Sequence, residues 1–413
     1  MATRLRGTRP GFAMPLAIAA VVILLATGVG LLAVGFNSRI YSIRTAADIT
    51  ARCAADAGLT MALYQMNQKL LEASWSNDTL PAADDVALLG CDATYSYQVA
   101  FDGTGGYTVQ SLGQSGGAHR SVTATLRLMS AFEHAVLTRN KLTLKAGTLV
   151  DAYNSADPSD TDLKTSIATQ AYAAGSIVLN NGVVVNGDIG IPRGGSIDTV
   201  IKDLGATVGH KLFTGLTPLP QVTAPSLASV GSLTVKGATT TLTPADSGRY
   251  TSVSLSSTGI GKPGILQISG GDVVMHVTGN IDLGNSAEIL VQNGSTLTLY
   301  VDGNVVSDNS SSISHEGSPQ APTVIKIYAT GSRPQTLNLR AKGNWTGVVW
   351  GPNATVTLRA GADVYGAVVA DRFEFKAGGN FHYDKALRQA DTDDDAVTFV
   401  VSRWSEGQAA SFE

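Results

Sequence analysis

Residues 12–36, FAMPLAIAAVVILLATGVGLLAVGF, run without a single charged side chain. A helix rising 1.5 Å per residue needs about 20 apolar residues to cross the hydrocarbon core of a bilayer, so this segment can span. Ahead of it, MATRLRGTRPG carries Arg4, Arg6 and Arg9, which hold that end in the cytoplasm by the positive-inside rule. No second run of this kind follows. The chain therefore reads as a basic leader over 1–11, a membrane part of a helix over 12–36, and a body outside the cytoplasm.

A cleaved secretory signal is the first alternative. Its apolar core is usually 7–15 residues long and ends in a small-x-small site. Here the run is longer, and Asn37-Ser38-Arg39 follows it. A retained anchor fits these residues better.

Arg9-Pro10-Gly11-Phe12 resembles the junction of type IV pilin-like proteins, where a basic leader ends in Gly and the mature chain starts with Phe. The resemblance implies cutting between Gly11 and Phe12 by a prepilin peptidase and an N-methylated Phe12. It also implies residence in the inner membrane before assembly, then packing beside other pilin or pseudopilin subunits. The chain departs from the family at the fifth mature position, where most pilins carry a Glu that pairs with a neighbour's N-terminal amine. Here that residue is Leu16, preceded by Pro15. Leu16 cannot make that pair, which points away from the repeating shaft and towards a minor or tip subunit. Ala54-Ala55-Asp56-Ala57-Gly58-Leu59 is similar to the group with a PilX-type N-terminus.

Charged residues are 15% of the chain and Gly contributes 45 positions, which suits a Thr-, Ser- and Val-rich β body better than a helical enzyme. The net charge of −4 and the lack of a basic stripe argue against a nucleic-acid partner. Cys53 and Cys91 are the two cysteines. Outside the cytoplasm they are expected to pair, which would stabilise by up to about 4 kcal/mol through loop closure. The alternative is two free buried thiols. Two distant Cys and six scattered His give no metal site, and no cofactor motif is present.

The helix is expected to continue to about residue 73. Ile43, Ala46, Ile49, Cys53, Ala57, Met61 and Tyr64 recur every three or four residues and mark one apolar face. Arg44, Asp48 and Arg52 lie on another face, spaced to pair in solvent. Alternating runs at 94–101, 107–112 and 120–128, separated by Gly-rich turns, predict an antiparallel meander. Helix then meander is the pilin order, so 37–130 reads as a pilin-like module.

From about residue 131 short β-rich runs recur between Gly and Asn, with breaks at Gly270, Gly279, Gly284, Gly294 and Gly303 and again at Gly343, Gly351, Gly361, Gly366 and Gly378. Strands this short do not stand alone. The expected fold is mainly β with a long N-terminal helix, the body over 131–390 being a right-handed parallel β-helix, a β-solenoid whose stacked strands share one core. A β-sandwich, with longer strands and more regular turns, is the alternative. Residues 348–358, 364–370 and 379–387 resemble a C-terminal β-helix domain often found behind PilX-type anchors, with His382-Tyr383-Asp384 as its distinctive triplet. Physically, His and Asp hydrogen bonds around a Tyr ring are expected to close the last turn of such a stack and protect its edge. Residues 151–162 and 214–225 read as loops, the second stiffened by three prolines.

The tail, 391–413, opens on Asp391-Thr392-Asp393-Asp394-Asp395. Alternating Asp can supply calcium ligands, but Ala396 stands where an EF-hand loop has Gly and no closing Glu follows, so a solvated acidic turn is expected. A helix or strand over 397–404 is expected to pack back. β-Helix folds also host carbohydrate-active enzymes. Asp188, Asp272, Asp282 and Asp302 sit near turn glycines, where Asp is ordinary turn chemistry, and Gly259-Ile260-Gly261-Lys262-Pro263 has Pro where a phosphate-binding loop needs Ser or Thr. The sequence thus predicts a non-enzymatic minor subunit at or near the tip of a type IV pilus or pseudopilus, acting in assembly or in binding a surface ligand. The alternative is a membrane-anchored adhesin or scaffold that never enters a fibre.

Overall fold

A computed structural model describes residues 13–71, 75–103, 105–161, 163–317, 322–376 and 379–408. Gly11, Phe12 and the leader lie outside these residues. The chain divides into two compact units, residues 13–127 with 399–408, and residues 128–398.

The first unit begins with α1, Ala13–Lys69, 57 residues long, or about 85 Å at 1.5 Å per residue. Its sheet holds β1 (Ala82–Ala87), β2 (Ala93–Phe101), β3 (Tyr107–Ser115) and β4 (Ala118–Met129), and the strand Thr398–Gln408 lies next to β4. The β1–β2, β2–β3 and β3–β4 pairs are antiparallel. α1 buries Ala51, Ala54, Ala55, Gly58, Leu59, Ala62 and Met66. The small residues on this face let helix and sheet approach closely: a Cβ on Gly113 of β3 would fall 2.0 Å from the Ala51 carbonyl oxygen and 2.4 Å from the Ala55 nitrogen. The C-terminal strand is fixed by its own chemistry. Asn67 Nδ2 donates to the Phe399 carbonyl at 3.2 Å, and the Phe399 N–H donates to Asn67 Oδ1 at 2.7 Å. The Phe399 ring meets Trp75 and Tyr107 with centroids 5.2 and 5.1 Å away, and Glu406 pairs with Arg52 at 3.1 Å.

The second unit is built from short strands, most of them paired in parallel. A smaller sheet joins Thr239–Leu242, Ile265–Ile268, Glu288–Val291 and Ser312–His315. In the main sheet, Gly248–Ser256 pairs with Asp272–Val277, then Thr296–Val301, Ile325–Ala329 and Trp345–Ala360 follow in turn. From Trp345–Ala360 the pairing returns through Gln335–Ala341, Val305–Ser307 and Ile281–Leu283 to Gly248–Ser256. These eight strands form a closed parallel barrel by connectivity, and the expected right-handed β-helix is not the architecture. Closure comes from the long strands. Residues 348–350 pair with one neighbour and 354–360 with another, and Gly248–Ser256 divides its length in the same way. The barrel side chains that point inward, such as Val253, Leu255, Met275, Leu299, Ile327, Leu339 and Leu358, are buried.

The same ladder extends beyond the barrel and departs from chain order. After Trp345–Ala360 come Val364–Phe375 and then the first strand of the unit, Val136–Leu144, followed by Thr165–Thr169, Gly187–Pro192 and Lys211–Thr214. At the other end Ser229–Lys236 pairs with Gly248–Ser256. Residues 215–228 therefore connect the two ends of a run of eleven strands. This connector is held on the sheet, with Gln170 Nε2 donating to the Thr217 carbonyl, Trp350 Nε1 donating to the Pro220 carbonyl at 3.2 Å, and Val222 buried.

Candidate functional site

Two places gather the residues singled out in the sequence: the outer face of α1 and the seam where the end of the second unit meets its beginning.

On α1 the recurring apolar positions fall opposite the sheet. Ile49 and Tyr64 are 58% and 57% exposed and Met61 38%, while Ala46 and Cys53 are also exposed and Ala57 half-buried. At 100° per residue these positions cluster on one side, and the buried Ala51, Ala54, Ala55, Gly58, Leu59 and Ala62 centre on the other. The helix thus has two apolar faces, one rich in Ala and Gly on the sheet and one carrying Ile49, Met61 and Tyr64 left uncovered. The face that lies on the sheet is therefore a different one from the face these recurring positions mark, and its Ala51, Ala55 and Gly58 permit the close approach that Gly113 also requires. Residues 13–39 are exposed throughout. Among the described residues, α1 alone is long and apolar enough to cross a membrane. Asp48 does not pair along the helix but binds Arg120 at 2.6 Å, which holds its carboxyl below the usual range.

Cys53 and Cys91 are both free and exposed. The expected disulfide is not formed. Cys53 lies on the outer face of α1, and Cys91 follows β1, where it contacts the Leu88 carbonyl at 3.7 Å.

His382, Tyr383 and Asp384 lie on Phe381–Asp384, which pairs with Val364–Phe375 on one side and Leu149–Tyr153 on the other. This is an internal strand, so the triplet does not close an end as expected. It fastens residues near 385 to residues near 150. His382 Nδ1 lies 2.5 Å from Asp151 Oδ1, and its ring stacks on Tyr365 at 4.7 Å. The bond to Asp151 raises the imidazole pKa above its ordinary value, against the effect of burial. Tyr383 Oη donates to the Phe132 carbonyl at 2.6 Å. Asp384 is buried and accepts from Ser155 N, Ser155 Oγ and Ala386 N. Lys385 Nζ reaches Asp160 at 2.8 Å.

A column of turn side chains crosses the same seam. Asn344 Oδ1 accepts from Asp363 N, Asp363 Oδ1 from Asn380 N, and Asn380 Oδ1 from Leu149 N, at 3.1, 2.8 and 3.2 Å. Sequence reasoning missed Asp151, Ser155, Asp160 and Asp363. Nothing local marks them, because their partners lie far along the chain.

The acidic turn spends its oxygens on its own backbone and on Tyr300. Asp394 Oδ2 accepts from Asp391 N at 2.9 Å, Asp391 Oδ1 from Asp393 N, and Asp395 Oδ2 from Tyr300 Oη. Among the described residues no three His, Cys, Asp or Glu side chains gather in a way that could hold a metal ion. The turn aspartates are also taken locally: Asp188 by His210, Asp272 by Thr296, and Asp302 by His276 and Thr330, while Asp282 is exposed.

Residues 222–390 match a family described as a domain of unknown function, DUF7305. The match begins in the 215–228 connector and ends just past the seam. No curated protein matches the chain. Among solved structures, the competence-associated pilin ComZ from Thermus thermophilus aligns at 16% identity over 87% of this chain and 97% of its own, with a TM-score of 0.25. That score is below what a shared fold gives.

Proposed function

We propose that the chain is a pilin-like subunit, held in a membrane by the apolar start of α1 and assembling with other pilin-type helices in a pilus or pseudopilus. The observation that carries this reading is the uncovered face of α1. An apolar segment exposed on every side, over 13–36, continues into a stripe of Ile49, Cys53, Ala57, Met61 and Tyr64 that the sheet leaves bare. Burying such side chains is worth about 1.5–3 kcal/mol each. Lipid covers about 30 Å of the rod, and a neighbouring apolar helix is the natural cover for the rest. Leu16 in place of the family's Glu favours a minor or tip position, with the second unit serving in assembly or in surface binding and no catalytic role assigned. The alternative, a membrane-anchored adhesin or scaffold outside any fibre, keeps the anchor but does not use the stripe.

N-terminal mass spectrometry on membrane-extracted and sheared-filament fractions tests this. A mature chain starting at Phe12 in the filament fraction is the expected result. An intact leader, with the protein confined to the membrane, would favour the anchored alternative. A soluble chain starting near Asn37 would sink both readings.

A further inference from the structure

No basic stripe is visible along the chain, yet the ladder of the second unit assembles one from strands far apart in sequence. Arg340 lies opposite Arg359. Leu358 lies opposite Phe375, and Phe375 opposite Leu144, so the residues that follow, Arg359, Lys376 and Lys145, continue the same column. At about 4.8 Å between strands, four cations fall within about 15 Å. Four residues back along these strands, about 13 Å away, Arg372 lies opposite Lys141. A third column, Asn338, Thr357, Glu374 and Thr143, runs between the two.

Lys141, Lys145, Arg372 and Lys376 are exposed, and Arg340 and Arg359 half-buried. The six cations have few acidic neighbours. Lys376 pairs with Glu374 at 2.8 Å and Arg372 with Asp371 at 3.6 Å, while no ion pair holds Arg359, Lys141 or Lys145 among the described residues. Arg340 Nη1 donates to Asn309 at 3.0 Å, but its Nε is buried without a hydrogen-bond partner. Like charges placed opposite each other across a ladder destabilise it. An anion laid along the columns reverses that sign.

We propose that this face binds an acidic polysaccharide, a chain carrying carboxylates or sulfates between its hydroxyls, laid across the strands along the middle column. The inference rests on the surface-binding role proposed above for the second unit. The Lys376–Glu374 pair shows that a long cation of one flanking column reaches over the middle one. Thr143, Thr357, Asn338 and Glu374 supply acceptors for sugar hydroxyls, and Glu374 would repel a DNA backbone, which has acceptors only. The three columns contain no aromatic side chain on which bases could stack. A flat sheet face also offers no helix or ribbon to enter a duplex groove.

Polygalacturonate, with one carboxylate on each sugar, is the probe, titrated at pH 7 against the full chain in neutral detergent micelles. Dextran and duplex DNA of matched length are the comparators. Saturable binding is expected, weakening about tenfold from about 50 to about 200 mM salt, with none to dextran. Arg359→Ser combined with Lys145→Ser should weaken it about tenfold or more, whereas Arg249→Ser, an exposed cation outside the stripe, should not. Arg372→Ser with Lys141→Ser tests the same point on the exposed column if the first pair disturbs the sheet. No binding to polygalacturonate, an affinity unchanged in both double variants, or tighter binding of duplex DNA would overturn the proposal. A chain that binds the polymer but stays out of filaments overturns the pilin reading alone, and one that enters filaments but ignores the polymer overturns this one alone.

Discussion

His382 and Asp151 stand 231 residues apart in sequence, yet Nδ1 and Oδ1 are 2.5 Å apart. Their strands, Phe381–Asp384 and Leu149–Tyr153, join the end of the second unit to its beginning. The pair reports on that join. Because the His382 imidazole is raised by Asp151, its contribution is present in full below about pH 6.5 and is lost as pH rises through the folded value. The unfolding free energy from denaturant titration should therefore be higher at pH 6 than at pH 9 by about 1–2 kcal/mol, and Asp151→Asn should remove most of that difference.

Two buried tryptophans separate packing from hydrogen bonding. Trp345 Nε1 has no hydrogen-bond partner among the described residues, whereas Trp350 Nε1 donates to the Pro220 carbonyl of the connector. Replacing either by Phe removes the same atoms. Trp350→Phe should cost about 1 kcal/mol more than Trp345→Phe in equilibrium unfolding, because it breaks a bond and strands a carbonyl.

Free thiols are a direct consequence of the cysteine positions. Cys53 and Cys91 are both exposed, so two equivalents should react with a thiol reagent in the folded protein. Replacing both by Ser should change stability by no more than about 0.5 kcal/mol.

The helix, the meander and the β character of the body were readable because they rest on local period and turn chemistry. Position along the ladder was not. The Gly-spaced runs from Gly271 to Gly303 specify short buried strands, but whether their sheet closes depends on how Trp345–Ala360 and Gly248–Ser256 divide between two neighbours. Strand composition does not encode that division. The His382-Tyr383-Asp384 triplet stood out by chemistry, yet its partners Asp151, Phe132 and Ser155 could not be paired with it from spacing. On α1 the period marked one apolar face, and the face that lies on the sheet is the other. Side-chain size decides which of two apolar faces can lie against Gly113, and hydropathy alone does not see size. The disulfide followed from compartment chemistry, which permits a bond without placing the two sulfurs together.

The fifth strand of the first unit, Thr398–Gln408, follows the whole of the second unit along the chain, while α1 and β1 to β4 precede it. The first unit must wait, incomplete, until everything between Leu128 and Thr398 has been synthesised. Its Asn67, Trp75 and Tyr107 find Phe399 only once the second unit has been made. A product cut short before Thr398 would leave β4 as a raw edge, so the module that carries α1 is sealed only by residues made after the second unit.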